Sequence, residues 1–360
     1  MKELTKEDLD NILLGCAVLG TGGGGSLKAA RRIIEADLTK GGKFLLADAE
    51  DLDPEAIVAS PYFCGALVVE EETRGKESES LIAFRSLEDF IGKKISAVIG
   101  GELGAENTAV ALSVASNVEI PLVDADPAGR SVPELQHSTF FLNDIPIAPM
   151  AVANRFGDVV IVKQVANHFH AESIVRNIAI ASGNRVGVAD SPVKVRVLRK
   201  SAIPKAISLA RKIGETIRKA IAKQEDLAEA IATTENGKLL FKGTVEKDSE
   251  WKNEGGFTVG TIQIKGRGEY QGSDYKIWYK NENIIAWKDG EIDITVPDLI
   301  CVLNEETGEP IINPDAKKGM TVTVVGFPAP EQWKTERGIE VFGPKSFGFD
   351  VEYVPIEMKK

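Results

Sequence analysis

"ISAVIGGELGAENTAVALSVASNVEIPLVDAD", residues Ile95–Asp126, decides the fold. An apolar run at 95–99 stops at two glycines, residues 105–117 place apolar side chains at helical spacing, and a second apolar run follows at 120–123. Strands that are apolar on every side chain, joined through a helix, belong to a parallel sheet buried on both faces.

The same alternation continues outward. Upstream, residues 5–20 read as a helix with Thr5 as N-cap and Gly20 as its stop, and 26–37 as a second helix opened by Ser26. Residues 43–48 and 56–63 are short buried-strand candidates, and 79–92 is an amphipathic helix. Downstream, 171–231 reads as helical, with Pro204 at the head of its longest helix. From Lys238 the period changes to two. The runs 238–248, 255–266, 274–303, 320–328 and 346–356 alternate polar and apolar residues between glycine and Asp-Gly turns. The expected organisation is an α/β domain over 1–170, a helical connection over 171–237, and an all-β barrel or sandwich over 238–360.

A chain of 360 residues suffices for two cores, and 43% hydrophobic with 27% charged residues is ordinary for a globular protein. A net charge of -11 argues against a nucleic-acid surface. No apolar run reaches the roughly 20 residues of a membrane span. The three cysteines, Cys16, Cys64 and Cys301, form no CxxC pair, and Cys16 and Cys64 read as buried, inert thiols. With no leader pattern in the opening residues, the cytoplasm is expected.

Chemistry concentrates at three turns. In "LGTGGGGS", Leu19–Ser26, the glycines Gly22, Gly23, Gly24 and Gly25 permit positive φ and close approach to a ligand, with Ser26 starting a helix whose amides favour negative charge. The competing reading is a plain helix–helix turn. It is neither a P-loop nor a dinucleotide fingerprint, since it joins two helices. "GGELGAEN", Gly100–Asn107, sets Glu102 and Asn107 at a strand end, where open parallel sheets bind ligands; the alternative is an Asn107 cap and a solvated Glu102. "PLVDADPAGRSVPELQ", Pro121–Gln136, carries Asp124, Asp126, Arg130 and Glu134. Two carboxylates on one side of a strand suit acid–base work or a divalent metal, and Arg130 either clamps a substrate or holds a structural Arg–Asp network. His168 and His170 in "NHFHAES" form half of a metal site if extended, but their rings diverge if helical. Asn281, Glu282, Asn283 and Asp298 either reach an interdomain cleft or satisfy turns and bulges, the latter being expected.

Together with "KNENIIAWKDGEIDITVPDLICVLNEETGEPI", Lys280–Ile311, and "VFGPKSFGFDVEYVP", Val341–Pro355, these words make the chain resemble the S-methyl thiohydantoin desulfurase (S-Me-THD) domain family over nearly its whole length. The resemblance implies a Rossmann-like three-layer α/β domain with a mainly parallel sheet, followed by a β-barrel-like domain. It also implies hydrolytic desulfuration of an S-methyl thiohydantoin or related five-membered cyclic amide to the hydantoin. Pro127 and Ala128 depart from the family's wording, His168 and His170 are not family features, and Glu72 stands where relatives carry a Glu-Lys pair. On this reading Asp124 or Asp126 is the general base, directly or through a metal-bound water. Glu102 and Glu134 are acid or metal ligands, Arg130 orients the substrate, and Gly22–Gly25, Ser26 and Asn107 bind it. A divalent metal, held by Asp124, Asp126, His168 or His170, is the candidate cofactor. Expected partners are a small cyclic amide or thiohydantoin, a hydantoinase-type protein and further copies of the chain. The alternative function is a non-catalytic accessory subunit of a hydantoinase/oxoprolinase-type enzyme.

Overall fold

The computed structural model describes residues 1–66 and 78–359, so Glu72 lies outside the described residues. Its first half runs β1 (Lys2–Glu3), α1 (Lys6–Leu19), α2 (Leu27–Thr39), β2 (Leu45–Ala47), β3 (Ile57–Gly65), α3 (Glu79–Ile91), β4 (Ile95–Val98) and α4 (Ala105–Asn117). Next come β5 (Leu122–Val123), β6 (Ala125–Asp126), α5 (Thr139–Leu142), β7 (Met150–Ala153), β8 (Val159–Val162), α6 (His168–Ala181) and β9 (Arg185–Lys194). After α7 (Val195–Ser201), β10 (Ile203–Pro204), α8 (Ala206–Lys223) and α9 (Leu227–Ala232) the chain turns to strands. These are β11 (Lys238–Val245), β12 (Glu250–Glu254), β13 (Phe257–Gly266), β14 (Asp274–Lys280), β15 (Glu282–Lys288), β16 (Glu291–Thr295), β17 (Leu299–Asn304) and β18 (Thr321–Phe327). A last helix, α10, spans Glu336–Phe342.

The N-terminal sheet has the order β1-β2-β5-β4-β3-β9-β7-β8. Its centre, β2-β5-β4-β3, is parallel, as the strand–helix–strand reading requires. The remaining ladders are antiparallel, so the sheet is mixed rather than mainly parallel. The extra strands come from β7, β8 and β9. Because β9 returns into the sheet, residues 171–237 are not simply a helical connection.

Alternate residues of the central strands face two helical layers, as a pleated strand dictates. Ala59 and Val98 face α1, α2, α4 and α8, whereas Val58 and Ala97 face the layer that includes α7. Thr5 caps α1 with the reciprocal bonds of a capping box: its Oγ1 accepts from the Asp8 amide at 3.1 Å, and Asp8 accepts from the Thr5 amide at 3.1 Å. That helix is buried from Ile12 to Leu19 because it lies between the two halves of the molecule. Leu299, Cys301 and Leu303 of β17 and Val325 and Phe327 of β18 belong to the same core as α1 and α8.

The C-terminal sheet is antiparallel throughout, in the order β16-β15-β14-β13-β11-β18-β17 with β12 beside β13. Among the described residues no ladder joins its edges β16 and β17, so no closed barrel forms there and the antiparallel sheet is the observed element. The alternating segment 346–356 forms 3₁₀ turns and extended coil rather than a strand, with Phe349 edge-on to Trp278 and Trp287. No described helix is long and apolar enough to cross a membrane.

Candidate functional site

The glycine turn between α1 and α2 is where the two halves meet. Gly22, Gly24 and Gly25 have φ of 88°, 69° and 80°, a left-handed path that other residues rarely follow, so most of the run is required by backbone geometry. Gly23 has another reason. A Cβ there would lie 1.8 Å from Oε1 of Glu282, so the Glu282 carboxyl occupies the space a side chain would take. The turn also docks by its backbone: Thr21 O accepts from the Asn283 amide and Gly22 O from the Asn313 amide, both at 2.8 Å. Gly22 and Gly23 are therefore docking residues rather than wall residues of the cavity. Gly24 and Gly25 do line it, and Ser26 caps α2 by accepting from the Ala29 amide at 3.4 Å.

That cavity, about 140 Å³, opens at the carboxyl ends of β3 and β4, the position that parallel sheets offer to ligands. The turn between β14 and β15 forms another part of its wall. Glu102, just beyond β4, is half-buried. Its Oε1 accepts from Asn107 Nδ2 at 2.7 Å and its Oε2 from the Val132 amide at 2.8 Å. Asn107 is not the helix cap, which is Gly104. Its Oδ1 accepts from the Phe63 amide at 2.9 Å, tying α4 to the end of β3. From the C-terminal half comes Glu282, 2% exposed, whose Oε2 has no hydrogen-bond partner among the described residues. Burial pushes both carboxyl groups up, and the Glu102 carboxylate raises Glu282 further. Glu102 already accepts two hydrogen bonds, which favour its ionised form. Glu282 is raised well above the usual range, so of the two it is the group that favours its proton.

Glu134 also lines the cavity, but its carboxylate is engaged: Lys280 Nζ pairs with Oε1 and Gln136 Nε2 donates to Oε2 at 2.6 Å. Burial acts to raise its pKa, and His137, Lys280 and Gln136 together outweigh that and bring it below the usual range. Glu106 pairs with Arg185 at 3.2 Å, and Arg176 with Glu172 at 2.7 Å. His137 and His168 are held neutral by burial, down to about 3 and about 4. The Cys64 thiol, also in the wall, is pushed by burial up to about 12, consistent with an inert thiol.

Three expected catalytic residues stand elsewhere. Asp124 does not line the cavity; it caps α8, accepting from the Ser208 amide at 2.9 Å and the Ser208 hydroxyl at 2.6 Å. Asp126 folds back on its own loop, where Oδ1 accepts from the Gly129 amide at 2.6 Å and the Ala128 amide at 3.3 Å. The strand breaks between the two acids, β5 joining the main sheet and β6 pairing with β10, so they do not form an acid pair. Arg130 does not line the cavity. It is 0% exposed and donates to the carbonyls of Ser131, Pro297, Asp298 and Asn283 and to Thr21 Oγ1.

The metal candidates do not converge. His168 and His170 lie on α6, so their rings diverge: His168 is buried against Phe141, with ring centroids 5.1 Å apart, while His170 is exposed. Among the described residues no group of three or more His, Cys, Asp or Glu side chains is placed to hold a metal ion.

Glu282 was visible in the sequence but expected in a turn. It is the residue that completes the cavity, and the signal for it was a carboxylate within an otherwise apolar strand. Placing an alanine Cβ at Gly23 would force it out. Gly23→Ala is expected to cost about 1–3 kcal/mol of stability, read by urea unfolding. Asp126 gives a second test. Burial pushes its carboxyl from 3.8 up to about 8. Between those values the unfolded chain has released the proton and the folded chain keeps it, so this group's contribution to stability is full below about pH 4 and falls as pH rises toward 8. Asp126→Asn is expected to be more stable than the parent at pH 8, by about 1–3 kcal/mol, and to remove this slope. Unfolding at pH 5 and pH 8 measures it.

Residues 7–164 match the family model described as the S-Me-THD-like N-terminal domain, and 166–356 match that of the S-Me-THD-like C-terminal domain. A crystal structure of a protein from Chromobacterium violaceum has a similar fold, with a TM-score of 0.79 and 24% sequence identity, covering 99% of this chain and 100% of that one. No curated protein matches the chain.

Proposed function

The chain belongs to the S-Me-THD-like family, and from that premise we propose that the cavity hydrolyses an S-methyl thiohydantoin, or a related five-membered cyclic amide, to the hydantoin. One observation carries the reading: Glu102 and Glu282, from opposite halves of the molecule, share the wall of a small cavity. In this reading Glu102 carries the charge and Glu282, pushed by burial well above its usual range, the proton. Paired carboxyl groups whose environments divide their roles are the usual apparatus for coupled proton transfer.

The reaction balances with these two groups alone. Glu102 takes a proton from water as its oxygen bonds to the ring carbon bearing sulfur. The electron pair of the C=N bond moves onto the ring nitrogen, which receives the Glu282 proton. On collapse, the C–S bond breaks and sulfur leaves as methanethiol with the proton now on Glu102. Glu282 accepts the hydroxyl proton as the carbonyl forms. Both carboxyl groups return to their starting states. The amides of Gly24 and Gly25, which take no backbone or side-chain acceptor among the described residues, are candidates to steady negative charge on the ring.

Purified protein incubated with S-methyl thiohydantoin should release one thiol for each hydantoin formed. Hydantoin without thiol, or neither product, would remove the reading.

A further inference from the structure

A second pair of proton-bearing groups faces the same cavity from β3 and β9. Ser60 pairs across the ladder with Asp190 and Val58 with Val193, so β9 carries one extra residue in this interval, a β-bulge at Ser191–Pro192. Ser191 takes a φ of 49°, in the left-handed region that a serine seldom occupies. Its amide is tied to the Ile147 carbonyl at 3.0 Å. Bulges of this kind re-aim a side chain, and local strain is retained where surrounding structure fixes it. Here the side chain is Asp190, 4% exposed and in the cavity wall. The Tyr62 hydroxyl donates to its Oδ2, and the Ser191 hydroxyl bonds to it as well. Beside them Ser60, 2% exposed and in the same wall, has an Oγ with no hydrogen-bond partner among the described residues. The Tyr62 ring fits because residue 101 is glycine. A Cβ there would lie 2.9 Å from Tyr62 Cδ1 and 3.1 Å from Ser60 Oγ. Since Gly101 precedes Glu102, this pair adjoins the Glu102–Glu282 pair.

The geometry points to Tyr62 and Asp190 as a hydrogen-bonding unit for the ring, in which a proton on Asp190 turns the Tyr62 hydroxyl from the carboxylate toward the ligand. This deepens the desulfuration reading and rests on it. When Asp190 is ionised, the Tyr62 proton is held by it. When Asp190 is protonated, it donates to the Tyr62 oxygen, and the Tyr62 proton is available to a ring carbonyl or to nitrogen gaining charge. Burial places that switch near neutrality, pushing Asp190 up to about 7. The charged and titratable groups around the pair are Cys64 on β3, Glu172 and Arg176 on α6, and Glu102 beyond β4. Glu172 and Arg176 are paired with each other, and the Cys64 thiol is protonated across this range. The unpartnered Ser60 hydroxyl supplies a further polar contact in the same wall.

The test compares the full chain with Tyr62→Phe and Asp190→Asn, measuring hydantoin binding by calorimetry and methanethiol release at pH 6 and pH 8. Tyr62→Phe is expected to lower kcat by about 10²-fold, the scale of one lost donor to a developing charge, and to bind hydantoin at pH 6 about as weakly as the unsubstituted protein does at pH 8. The unsubstituted protein should bind hydantoin about tenfold more weakly at pH 8 than at pH 6, as a group titrating near 7 dictates. Asp190→Asn, which cannot ionise, should lose that dependence. Unchanged binding and turnover in Tyr62→Phe, or the parent's pH course in Asp190→Asn, would overturn the inference and leave desulfuration standing. Hydantoin binding that depends on Tyr62 without any thiol release would overturn desulfuration and leave the pair. Neither binding nor turnover in the unsubstituted protein would overturn both.

Discussion

Replacing Glu282 by glutamine is expected to reduce methanethiol release by about 10²–10⁴-fold while the protein stays folded. The reason lies in what the substitution does and does not change. Burial pushes the Glu282 carboxyl well above its usual range, toward the neutral form, so an amide of the same shape introduces no new charge defect into its 2% exposed position. Its Oε2 has no hydrogen-bond partner among the described residues, so no interaction there is broken. What disappears is the ability to give a proton to the ring nitrogen and take one back. A structural role would show itself differently, as a fall in melting temperature with residual turnover proportional to the folded fraction. Full turnover in a folded Glu282→Gln protein would exclude Glu282 as the acid. Glu102→Gln is expected to fail for a complementary reason. Glutamine can still accept at one oxygen, but its NH₂ would face the Val132 amide or the Asn107 amide, both of which are donors. That variant loses the base and its anchorage together, so its loss of turnover is expected to come with a loss of stability.

The contrast between the two acids also shows how far the sequence can be read. The parallel centre was legible because Ile95–Ile99 and Ile120–Val123 are apolar on both faces and flank a clean helical repeat. Strands β7 and β8 were not, because they are four residues long and end in polar turns. β9 escaped for a different reason: Ser191 and Pro192 interrupt its apolar pattern at the bulge that aims Asp190 into the cavity. Local patterning fails there because the departure from regular structure serves the site. Glu102 and Asn107 could be placed beside the cavity from sequence because a strand-end position is a local property. The pairing of Glu102 with Glu282, separated by half of the chain, depends on how two sheets meet across α1, and no spacing rule encodes that. Asp126 misled for the same reason. Its neighbours in sequence suggested a catalytic acid, whereas its Oδ1 serves the turn at Gly129.

Arg130 shows what holds the two halves in register. Replacing it by methionine is expected to destabilise the protein by about 3–5 kcal/mol, the cost of removing one partner from a buried, charged hydrogen-bond set. Burial lowers the guanidinium only to about 10, so it stays charged at neutral pH. It does so among neutral oxygens: among the described residues no carboxylate bonds to it directly, and its planar fork is filled by three carbonyls from the C-terminal half, one from its own turn, and Thr21 Oγ1 from the glycine turn. Phe342 packs on the guanidinium, 5.1 Å from its centre. Methionine would fill much of the volume and leave those oxygens buried without a donor. Lysine is not a conservative replacement, since one ammonium cannot reach acceptors spread around a planar fork. Arg130→Lys should therefore recover less than half of the loss in urea unfolding. Because the same contacts hold the Gly22–Gly23 turn against Glu282, the methionine variant should also lose turnover at temperatures where it remains folded. If Arg130→Met unfolds at the parent's urea midpoint, the guanidinium is not the fastening between the halves, and the position of Glu282 must be set by the Asn283 and Asn313 bonds to the turn instead.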